Sequence, residues 1–544
     1  MNAKQILAAI LLYHLAGCAL TDEQDHYKNE QSRSINQSKV VIQLEKNEKW
    51  WGGCVADGSL MPFGSNDFTA NLFANTKANQ AQPLLISNHG RFVWSEQPFS
   101  FTFKKGTLTI ESQQGTVIKG KKGNTLASVH SYVTEQFFPH DGRIPDPLLF
   151  TNPQYNTWIE LTYDQRETRI RKYAEDIIAN DFPAGVLMID DNWQQDYGVW
   201  DFHPGRFTKP KDMVDSLHSQ GFKVMLWVCP FVSPDCETFR ELERKNFILK
   251  RSAGNVYICK WWNGYSALMD FTNDDALKWF TDRLSYLVTE YGVDGFKFDG
   301  GDAHFYLDYC MNPNLYSNPN LHSELWAKLG AGFPLNEYRA CWKSASLPLA
   351  QRLRDKRHNW DDLQKLIPDA IAMGLIGYPF VCPDMIGGGE FKSFLSAKTI
   401  DQQLVVRSAQ CSALMPMMQF SVAPWRILDD KNLAICLEMA KLHEKMGPEI
   451  LTLANQAAKT GQPIIRHMEY VYPNQGYAEI NDQFMLGDSI LVAPVLEKDK
   501  TSRTIVLPKG TWIADDGKTI IGPAKKQVPA PIERLPWYQL KKEQ

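Results

Sequence analysis

Short runs of alternating apolar and polar residues dominate the chain from 39 to 147. Residues 99–103 alternate in this way up to a Lys-Lys-Gly turn, and a second alternating run follows at 107–110. Alternation interrupted by a tight turn is typical of a β-hairpin. The pattern therefore predicts an N-terminal β-sandwich over 39–147.

From 148 to 446 the pattern changes to short apolar strands that alternate with helical segments. The helical segments include 167–179 and 274–291, and the strand-like segments are 186–191, 223–231, 294–301 and 336–342. Alternation over this length predicts an α/β fold, namely a (β/α)8 TIM barrel with insertions. After Gly447 short strands bounded by Pro and Gly return, which predicts a C-terminal β-sandwich over 447–544.

The first 38 residues have a different character. Residues 1–18 contain one lysine, a short apolar run and then small residues up to Cys18, which is typical of a signal peptide. The ending Leu-Ala-Gly-Cys resembles a bacterial lipobox, so we expect Cys18 to carry a lipid; an ordinary signal peptide with an incidental cysteine is the alternative. The polar segment 19–38 is then a tether. We expect a protein of the bacterial cell envelope, in the periplasm or on the outer membrane, that meets the membrane only through this anchor.

The composition is that of a large globular protein. The chain has 544 residues, of which 44% are hydrophobic and 22% charged, so it can bury large cores. Its 58 basic and 62 acidic side chains give a net charge of −4, and no nucleic-acid partner is expected. The 16 tryptophans suit stacking on sugar rings, although a large barrel also buries many aromatic side chains.

Cysteines and short motifs exclude several other classes. The ten cysteines are scattered without Cys-x-x-Cys spacing, so neither a disulfide framework nor a zinc site is expected; Cys229, Cys341 and Cys382 are predicted to be buried thiols. The chain lacks His-Glu-x-x-His, Gly-x-Ser-x-Gly and the glycine patterns of nucleotide-binding loops. Asp302 and His304 could begin a metal site, but no third ligand is identifiable nearby. We therefore expect no metal and no cofactor.

Acidic residues follow several of the predicted barrel strands. Asp190 and Asp191 close one strand, Asp299 closes another, and Glu337 and Arg339 lie in a third. The carboxyl ends of barrel strands carry catalysis in this fold, although each acid taken alone could cap a helix. Several acids that converge beside tryptophans predict glycoside hydrolysis, in which one carboxylate attacks or activates water and another protonates the leaving oxygen.

The segment 292–302, GVDGFKFDGGD, resembles the nucleophile strand of glycoside hydrolase family 31, the retaining α-glycosidases. The resemblance covers roughly residues 150–530 and implies that Asp299 is the nucleophile. The family's acid/base is an Asp that lies five residues before a Trp and about sixteen after a substrate-binding Arg, which Asp355, Trp360 and Arg339 match. Because residues 352–354 depart from the family's Trp-x-Gly, Asp361 and Asp362 stay as alternative acids.

Further site residues follow from the same resemblance. Lys297, on the same strand face as Asp299, is expected to keep that nucleophile ionised. The expected sugar ligands and pocket walls are Asp190, Asp191, Trp193, Trp227, Trp262, Lys297, Arg339 and Asp384, the last within a segment similar to the family's Asp-Ile-Gly-Gly. For each tryptophan, packing in the core is the alternative.

Departures from the family pattern bear on the substrate. Residues 418–421 stand where α-glucosidases carry Arg-Asn-His. The sequences at 190–193 and 336–339 resemble those of a subgroup with α-galactosidase activity. The sequence thus favours an exo-acting α-galactosidase that hydrolyses an α-linked oligosaccharide or glycoside with retention. An α-glucosidase, an α-xylosidase and a transglycosidase are alternatives, and a non-catalytic sugar-binding lipoprotein is a more distant one. The sequence does not specify the oligomeric state.

Overall fold

The computed structural model describes residues 38–113, 115–251, 253–310, 318–396 and 399–542. The predicted leader with Cys18, and the tether up to residue 37, lie outside this part of the chain. Among the described helices, none combines the length and the apolar character needed to cross a membrane.

Two β-sheets pack face to face in the N-terminal part. One sheet contains the strands Ser38–Gln43, Phe68–Asn71, Ser100–Lys104 and Thr107–Ser112, and the other contains Trp50–Cys54, Gln80–Ser87, Arg91–Ser95 and Val117–Lys121. Rings from the two sheets meet between them, with the centroids of Trp50 and Phe103 6.5 Å apart. The predicted hairpin is confirmed, since Phe103 pairs with Leu108 across an antiparallel turn.

Eight parallel strands form the nearly closed barrel at the centre of the molecule. In chain order they are Gln154–Asn156, Val186–Ile189, Lys223–Val228, Gly295–Phe298, Leu335–Tyr338, Gln351–Arg352, Val381–Cys382 and Gln419–Phe420. Their register places Trp227, Lys297 and Glu337 side by side on three adjacent strands. The predicted fold class, a (β/α)8 barrel between two β domains, is confirmed.

Two excursions from the barrel matter for the site. The strands Phe231–Val232, Ile258–Trp261 and Gly264–Leu268 form a small sheet after the third barrel strand. The strand Cys341–Trp342 pairs in parallel with Gln80 and Ala81, which joins the N-terminal sandwich to the barrel.

The described α-helices surround the barrel or connect its strands. They are Leu126–Phe137, Leu148–Thr151, Trp158–Leu161, Glu167–Ala179, Pro210–Ser219, Glu237–Lys245, Asp274–Tyr291, Leu307–Cys310, Pro319–Gly330, Trp360–Leu363, Leu366–Leu375, Phe391–Ser396, Gln402–Ala413, Pro424–Ile427, Asp430–Thr460 and Met468–Val471. Short 3-10 helices lie at Val55–Leu60 and Ala303–Tyr306. The helix Asp274–Tyr291 begins after Asn273, whose side chain accepts from Asp275 N at 2.9 Å, and ends at Gly292 with φ 80°.

The C-terminal domain is a six-stranded antiparallel sheet. Its strands are Ile465–Arg466, Phe484–Leu486, Ile490–Val492, Ser502–Ala514, Thr519–Pro529 and Trp537–Leu540. The boundary predicted at 446/447 lies inside the helix Asp430–Thr460. Gly447 does not stop this helix: it lets the helix pack closely, because a Cβ there would lie 2.7 Å from the Cα of Thr151.

The three thiols predicted to be buried are buried in the structure. Cys382 lies in a barrel strand, Cys229 directly follows one, and Cys341 lies in the strand that pairs with the N-terminal sandwich. Burial raises the pKa of the Cys341 thiol to about 12. These side chains behave as small apolar residues of the core.

Candidate active site

Asp299 follows the barrel strand Gly295–Phe298 and points into the mouth of the barrel with 13% of its side chain exposed. Trp227 Nε1 donates to its Oδ2 at 3.1 Å, and Arg339 Nε donates to its Oδ1 at 2.9 Å. The amide of Gly300 also donates to Oδ1, at 2.9 Å. These donors fix the orientation of a carboxylate that a ligand can still reach.

Opposing electrostatic effects act on Asp299. Burial alone would raise the pKa of its carboxyl, but the cations of Arg339, Lys297 and Arg352 and the hydrogen bond from Trp227 outweigh burial and hold it well below its usual value. Asp299 is therefore ionised at neutral pH, as a nucleophile must be.

Arg339 holds a second carboxylate besides Asp299. Its Nη1 and Nη2 donate to the two oxygens of the buried Asp302 at 3.1 and 2.7 Å, and Nη1 also donates to the carbonyl of Ala78 at 3.0 Å. Most of the guanidinium is thus engaged within the protein. Arg339, predicted as a sugar ligand, chiefly positions Asp299 in this structure, and Asp302 orients Arg339 in turn.

Lys297 and Asp190 form a buried ion pair inside the barrel. Lys297 Nζ lies 2.6 Å from Asp190 Oδ2, and the other oxygen of Asp190 accepts from the amide of Asp191 at 2.8 Å. Neither side chain is more than 4% exposed. Direct sugar contact by these two residues, as predicted, is not what the structure shows, since both point into the closed barrel layer; Lys297 acts on Asp299 through its charge.

Asp191 lies between the barrel and the small sheet. Its Oδ1 accepts from the hydroxyl of Tyr197 at 3.0 Å and its Oδ2 from Asn263 Nδ2 at 2.8 Å. Burial and the charges of Asp190 and Asp299 raise the pKa of Asp191 to about 7, although the hydrogen bonds from Tyr197 and Asn263 oppose this shift. Both oxygens of Asp191 are thus engaged in a side chain that is 2% exposed, and its contact with a sugar hydroxyl stays a prediction.

Asp191→Asn is expected to change how stability depends on pH. A carboxyl with a pKa raised from 3.8 to about 7 favours the folded state fully below pH 3.8, and this contribution is lost as pH rises to about 7. Asparagine does not titrate, so the free energy of unfolding of the variant should increase relative to that of wild type as pH rises, by on the order of 4 kcal/mol at most. Urea unfolding at a series of pH values measures the difference.

The matched control for this experiment is Asp235→Asn, which alters an exposed carboxylate. It should leave the pH dependence of the free energy of unfolding unchanged. Parallel pH curves for wild type and Asp191→Asn would contradict a buried, neutral carboxyl at 191.

Arg352 gathers three further carboxylates at the end of the sixth barrel strand. Its Nε donates to Glu337 Oε1 at 3.0 Å, and its Nη1 donates to Asp355 Oδ1 at 2.8 Å and to Asp384 Oδ1 at 2.9 Å. Glu337 and Asp384 are buried, whereas 39% of the Asp355 side chain is exposed. Asp355 is therefore the member of this group that a ligand can reach.

Asp384 braces a loop in this structure. Its Oδ2 accepts from the amides of Lys356 and Gly389, the latter at 2.8 Å, while Arg352 contacts its Oδ1. Burial and the neighbouring Asp355 raise the pKa of Asp384 to about 7. Because both oxygens are engaged in a side chain that is 1% exposed, Asp384 offers no free oxygen to a sugar in this conformation.

The three predicted tryptophan walls have three different roles. Trp193 is fully buried, packs on Phe202 and donates to the carbonyl of Trp227 at 2.7 Å, so its assignment to the wall is wrong. Asn192, with φ 74°, turns the chain so that Trp193 enters the core. Trp227 is also buried and holds Asp299. Trp262 is 47% exposed, and the Arg339 guanidinium lies 5.7 Å from the centroid of its ring. Of the three tryptophans, Trp262 is the one placed to form a pocket wall.

The alternative acids have other surroundings. Asp362 accepts from the amide of Arg357 at 2.8 Å and pairs with Lys365 at 2.6 Å. Asp361 is exposed and lines a separate cavity of about 700 Å³ next to the C-terminal sheet. Among the hydrogen bonds of the described residues, neither carboxylate joins the networks of Arg339 or Arg352.

Several site residues escaped the sequence reasoning. The sequence pattern presents Arg352 only as a departure from the family and Asp302 only as part of an incomplete metal site. Tyr197 reaches Asp191 from the loop that follows it, and Asn263 reaches it from the small sheet, whose position no local pattern indicates. The position of Asp302, three residues after Asp299 at the same strand end, was the one available signal.

Two protein-family profiles match most of the chain. The profile of the glycosyl hydrolases family 31 TIM-barrel domain matches residues 153–453, and that of the family 31 C-terminal domain matches residues 461–542. The chain belongs to glycosyl hydrolase family 31. The resemblance that the motif at 292–302 carries is thereby confirmed, and the galactosidase-like subgroup stays a prediction.

Relatives of this family 31 chain include proteins from animals and bacteria. It is 33% identical over 407 residues to the myogenesis-regulating glycosidase of Mus musculus, covering 73% of this chain and 57% of that protein. It is 26% identical over 448 residues to α-glucosidase 2 of Bacillus thermoamyloliquefaciens, covering 75% and 54%. The chain thus spans little more than half the length of either relative.

A solved structure shows the same fold. The family 31 dextranase of Flavobacterium johnsoniae, complexed with glucose, superposes with a TM-score of 0.82 at 20% identity, covering 94% of this chain and 67% of that chain.

Proposed function

We propose that this protein is a retaining, exo-acting α-glycosidase in which Asp299 is the nucleophile and Asp355 the acid/base. The observation that carries the proposal is the carboxylate of Asp299, which is ionised and within reach of a ligand. Trp227 and Arg339 fix its orientation, and the barrel strands that precede Asp299 and Arg339 are neighbours. Arg352 extends from the next strand and orients the exposed Asp355.

The reaction proceeds in two displacements. Asp299 attacks the anomeric carbon and forms an ester while the bond to the leaving oxygen breaks, and Asp355 gives its proton to that oxygen. Asp355 then takes a proton from a water molecule, whose oxygen attacks the same carbon and releases Asp299. Two inversions leave the α-configuration unchanged.

Arg339 remains paired throughout this cycle. When Asp299 becomes a neutral ester, Arg339 loses one carboxylate partner but keeps both oxygens of Asp302. A buried guanidinium without any partner would be strongly destabilising. Asp302 therefore keeps the charge balanced in the glycosyl-enzyme.

For the substrate we propose an α-galactoside. The support is the resemblance of residues 190–193 and 336–339 to the subgroup with α-galactosidase activity, together with the burial of the side chains at 418–421. Met418, Gln419 and Ser421 are buried, and Gln419 donates to Glu337 at 2.6 Å and to Gln154 at 3.0 Å within the barrel. Residues 418–421 therefore present no exposed counterpart of the Arg-Asn-His that α-glucosidases carry at this position. Groups that bind sugar hydroxyls carry much of the discrimination between sugars.

A panel of aryl α-galactoside, α-glucoside and α-xyloside tests the proposal. We expect the galactoside to give the highest kcat/KM, by at least about tenfold, and the first product seen by NMR to be the α-anomer. A higher kcat/KM for the glucoside or the xyloside would contradict the galactose specificity. A β-anomer as first product would contradict the retaining mechanism, and disaccharide as main product would identify a transglycosidase. Sugar binding without turnover would identify the non-catalytic lipoprotein.

The proposals about location rest on the sequence. Lipidation of Cys18, a place in the bacterial cell envelope and the absence of a nucleic-acid partner stay predictions.

A further inference from the structure

A strained loop of the N-terminal sandwich reaches the mouth of the barrel. Ala74, Lys77 and Ala78 have φ of 54°, 50° and 59°, a left-handed conformation that residues other than glycine rarely adopt. The loop is held at both ends: the amide of Ala74 donates to Asn320 Oδ1 at 2.8 Å, and Lys77 Nζ contacts Asp57 at 2.6 Å. Such strain persists only where the surrounding structure imposes it.

This loop and the strand that follows it contact Arg339, which holds Asp299, and the segment that carries Asp355. The carbonyl of Ala78 accepts from Arg339 Nη1 at 3.0 Å, and Asn79 Oδ1 accepts from the amide of Arg354 at 2.8 Å. Gln80 Nε2 donates to the carbonyl of Arg339 at 2.9 Å and to that of Arg352 at 3.0 Å. The orientation of the Gln80 amide follows from these partners, because the opposite orientation would bring its oxygen against two carbonyl oxygens.

We propose that Gln80 is a positioning residue for the glycosidase reaction. One buried side-chain amide joins the main chain of Arg339 to that of Arg352, at the ends of two neighbouring barrel strands. Arg339 holds Asp299 and Arg352 holds Asp355. Gln80 therefore sets the separation of the two carboxylates, which must be about 5–5.5 Å in a retaining enzyme.

The proposal rests on the proposed function and has a readout that general destabilisation would not change. The charged and titratable groups that face Asp299 are Arg339, Lys297, Arg352, Asp191 and Cys229. Arg339 is the strongest of the influences that lower the pKa of Asp299. If the Arg339 segment shifts away, the pKa of Asp299 rises, and the acidic limb of the kcat/KM profile moves to higher pH.

The test compares Gln80→Met with Gln82→Met in the full chain. Gln82 lies two residues further along the same strand and is also buried. Its Oε1 accepts from the Tyr378 hydroxyl at 3.4 Å, and among the hydrogen bonds of the described residues none joins it to either arginine. With the aryl α-glycoside that wild type hydrolyses fastest, Gln80→Met should lose about 10- to 100-fold in kcat/KM and shift the acidic limb upward. Gln82→Met should keep the wild-type profile.

Three outcomes would overturn the proposal. The first is a folded Gln80→Met protein whose kcat/KM and acidic limb equal those of wild type. The second is a Gln82→Met protein that shows the same loss of kcat/KM and the same shift of the acidic limb as Gln80→Met. Should Gln80→Met not fold, Gln80→Asn decides, because its amide keeps the polarity of the side chain but is one methylene too short to reach both carbonyls; an unchanged acidic limb in that variant is the third. Wild-type protein without turnover of any aryl α-glycoside would instead contradict the proposed function itself.

Discussion

Replacement of Asp299 by asparagine is expected to lower kcat for an aryl α-galactoside by roughly four to six orders of magnitude. An amide oxygen cannot form the ester that carries the sugar between the two displacements. The fold should survive, because Arg339 keeps its contacts with Asp302 and Ala78. Steady-state kinetics together with circular dichroism of the variant measure both effects.

A rescue experiment identifies the attacking atom. In Asp299→Gly, azide can occupy the space of the missing carboxylate, attack an α-glycosyl fluoride and give the β-glycosyl azide. Asp302→Asn is the matched control: it touches Arg339 but not the reacting carbon, so it should retain measurable turnover and show no azide rescue. Wild-type turnover in Asp299→Asn would exclude this carboxylate as the nucleophile.

Helix and strand positions were predictable wherever the signals are local. The helices Glu167–Ala179 and Asp274–Tyr291 agree with the predicted segments, because an apolar face defines each within its own sequence and Asn273 and Gly292 cap the second. Gly447 is the counterexample. Its sequence signal favours a helix end, yet the close contact with Thr151 requires a glycine inside the helix Asp430–Thr460, and no local pattern shows such a contact.

The residues of the active site were also predictable only where their signal is local in the sequence. The position of Asp299 at a strand end follows from the motif around it, whereas the roles of the tryptophans depend on chain direction. Trp193 and Trp262 both lie near proposed acids, but the turn at Asn192 buries the first while the small sheet exposes the second. The contacts of Gln80 join residues more than 250 positions apart, and sequence spacing does not show them.

Asp355→Ala is expected to separate the two steps of the reaction. With a poor leaving group, such as the sugar of a disaccharide, the loss of a general acid should reduce kcat/KM by roughly 10²- to 10⁴-fold. With a dinitrophenyl leaving group the first step needs no proton, so kcat/KM should fall little, while kcat falls because the second step lacks its base. The glycosyl-enzyme on Asp299 should then accumulate and be visible by intact mass spectrometry.

Azide and a matched variant decide whether Asp355 is this acid/base. Azide needs no base, so in Asp355→Ala it should attack the glycosyl-enzyme from the face that water normally uses, restore kcat and give the α-glycosyl azide, the anomer opposite to that from Asp299→Gly. Asp361→Asn removes an exposed carboxylate of the separate cavity and should behave as wild type with both leaving groups. If Asp361→Asn or Asp362→Asn showed the leaving-group dependence and Asp355→Ala did not, the acid would lie on the short helix Trp360–Leu363 and the contact between Arg352 and Asp355 would be structural.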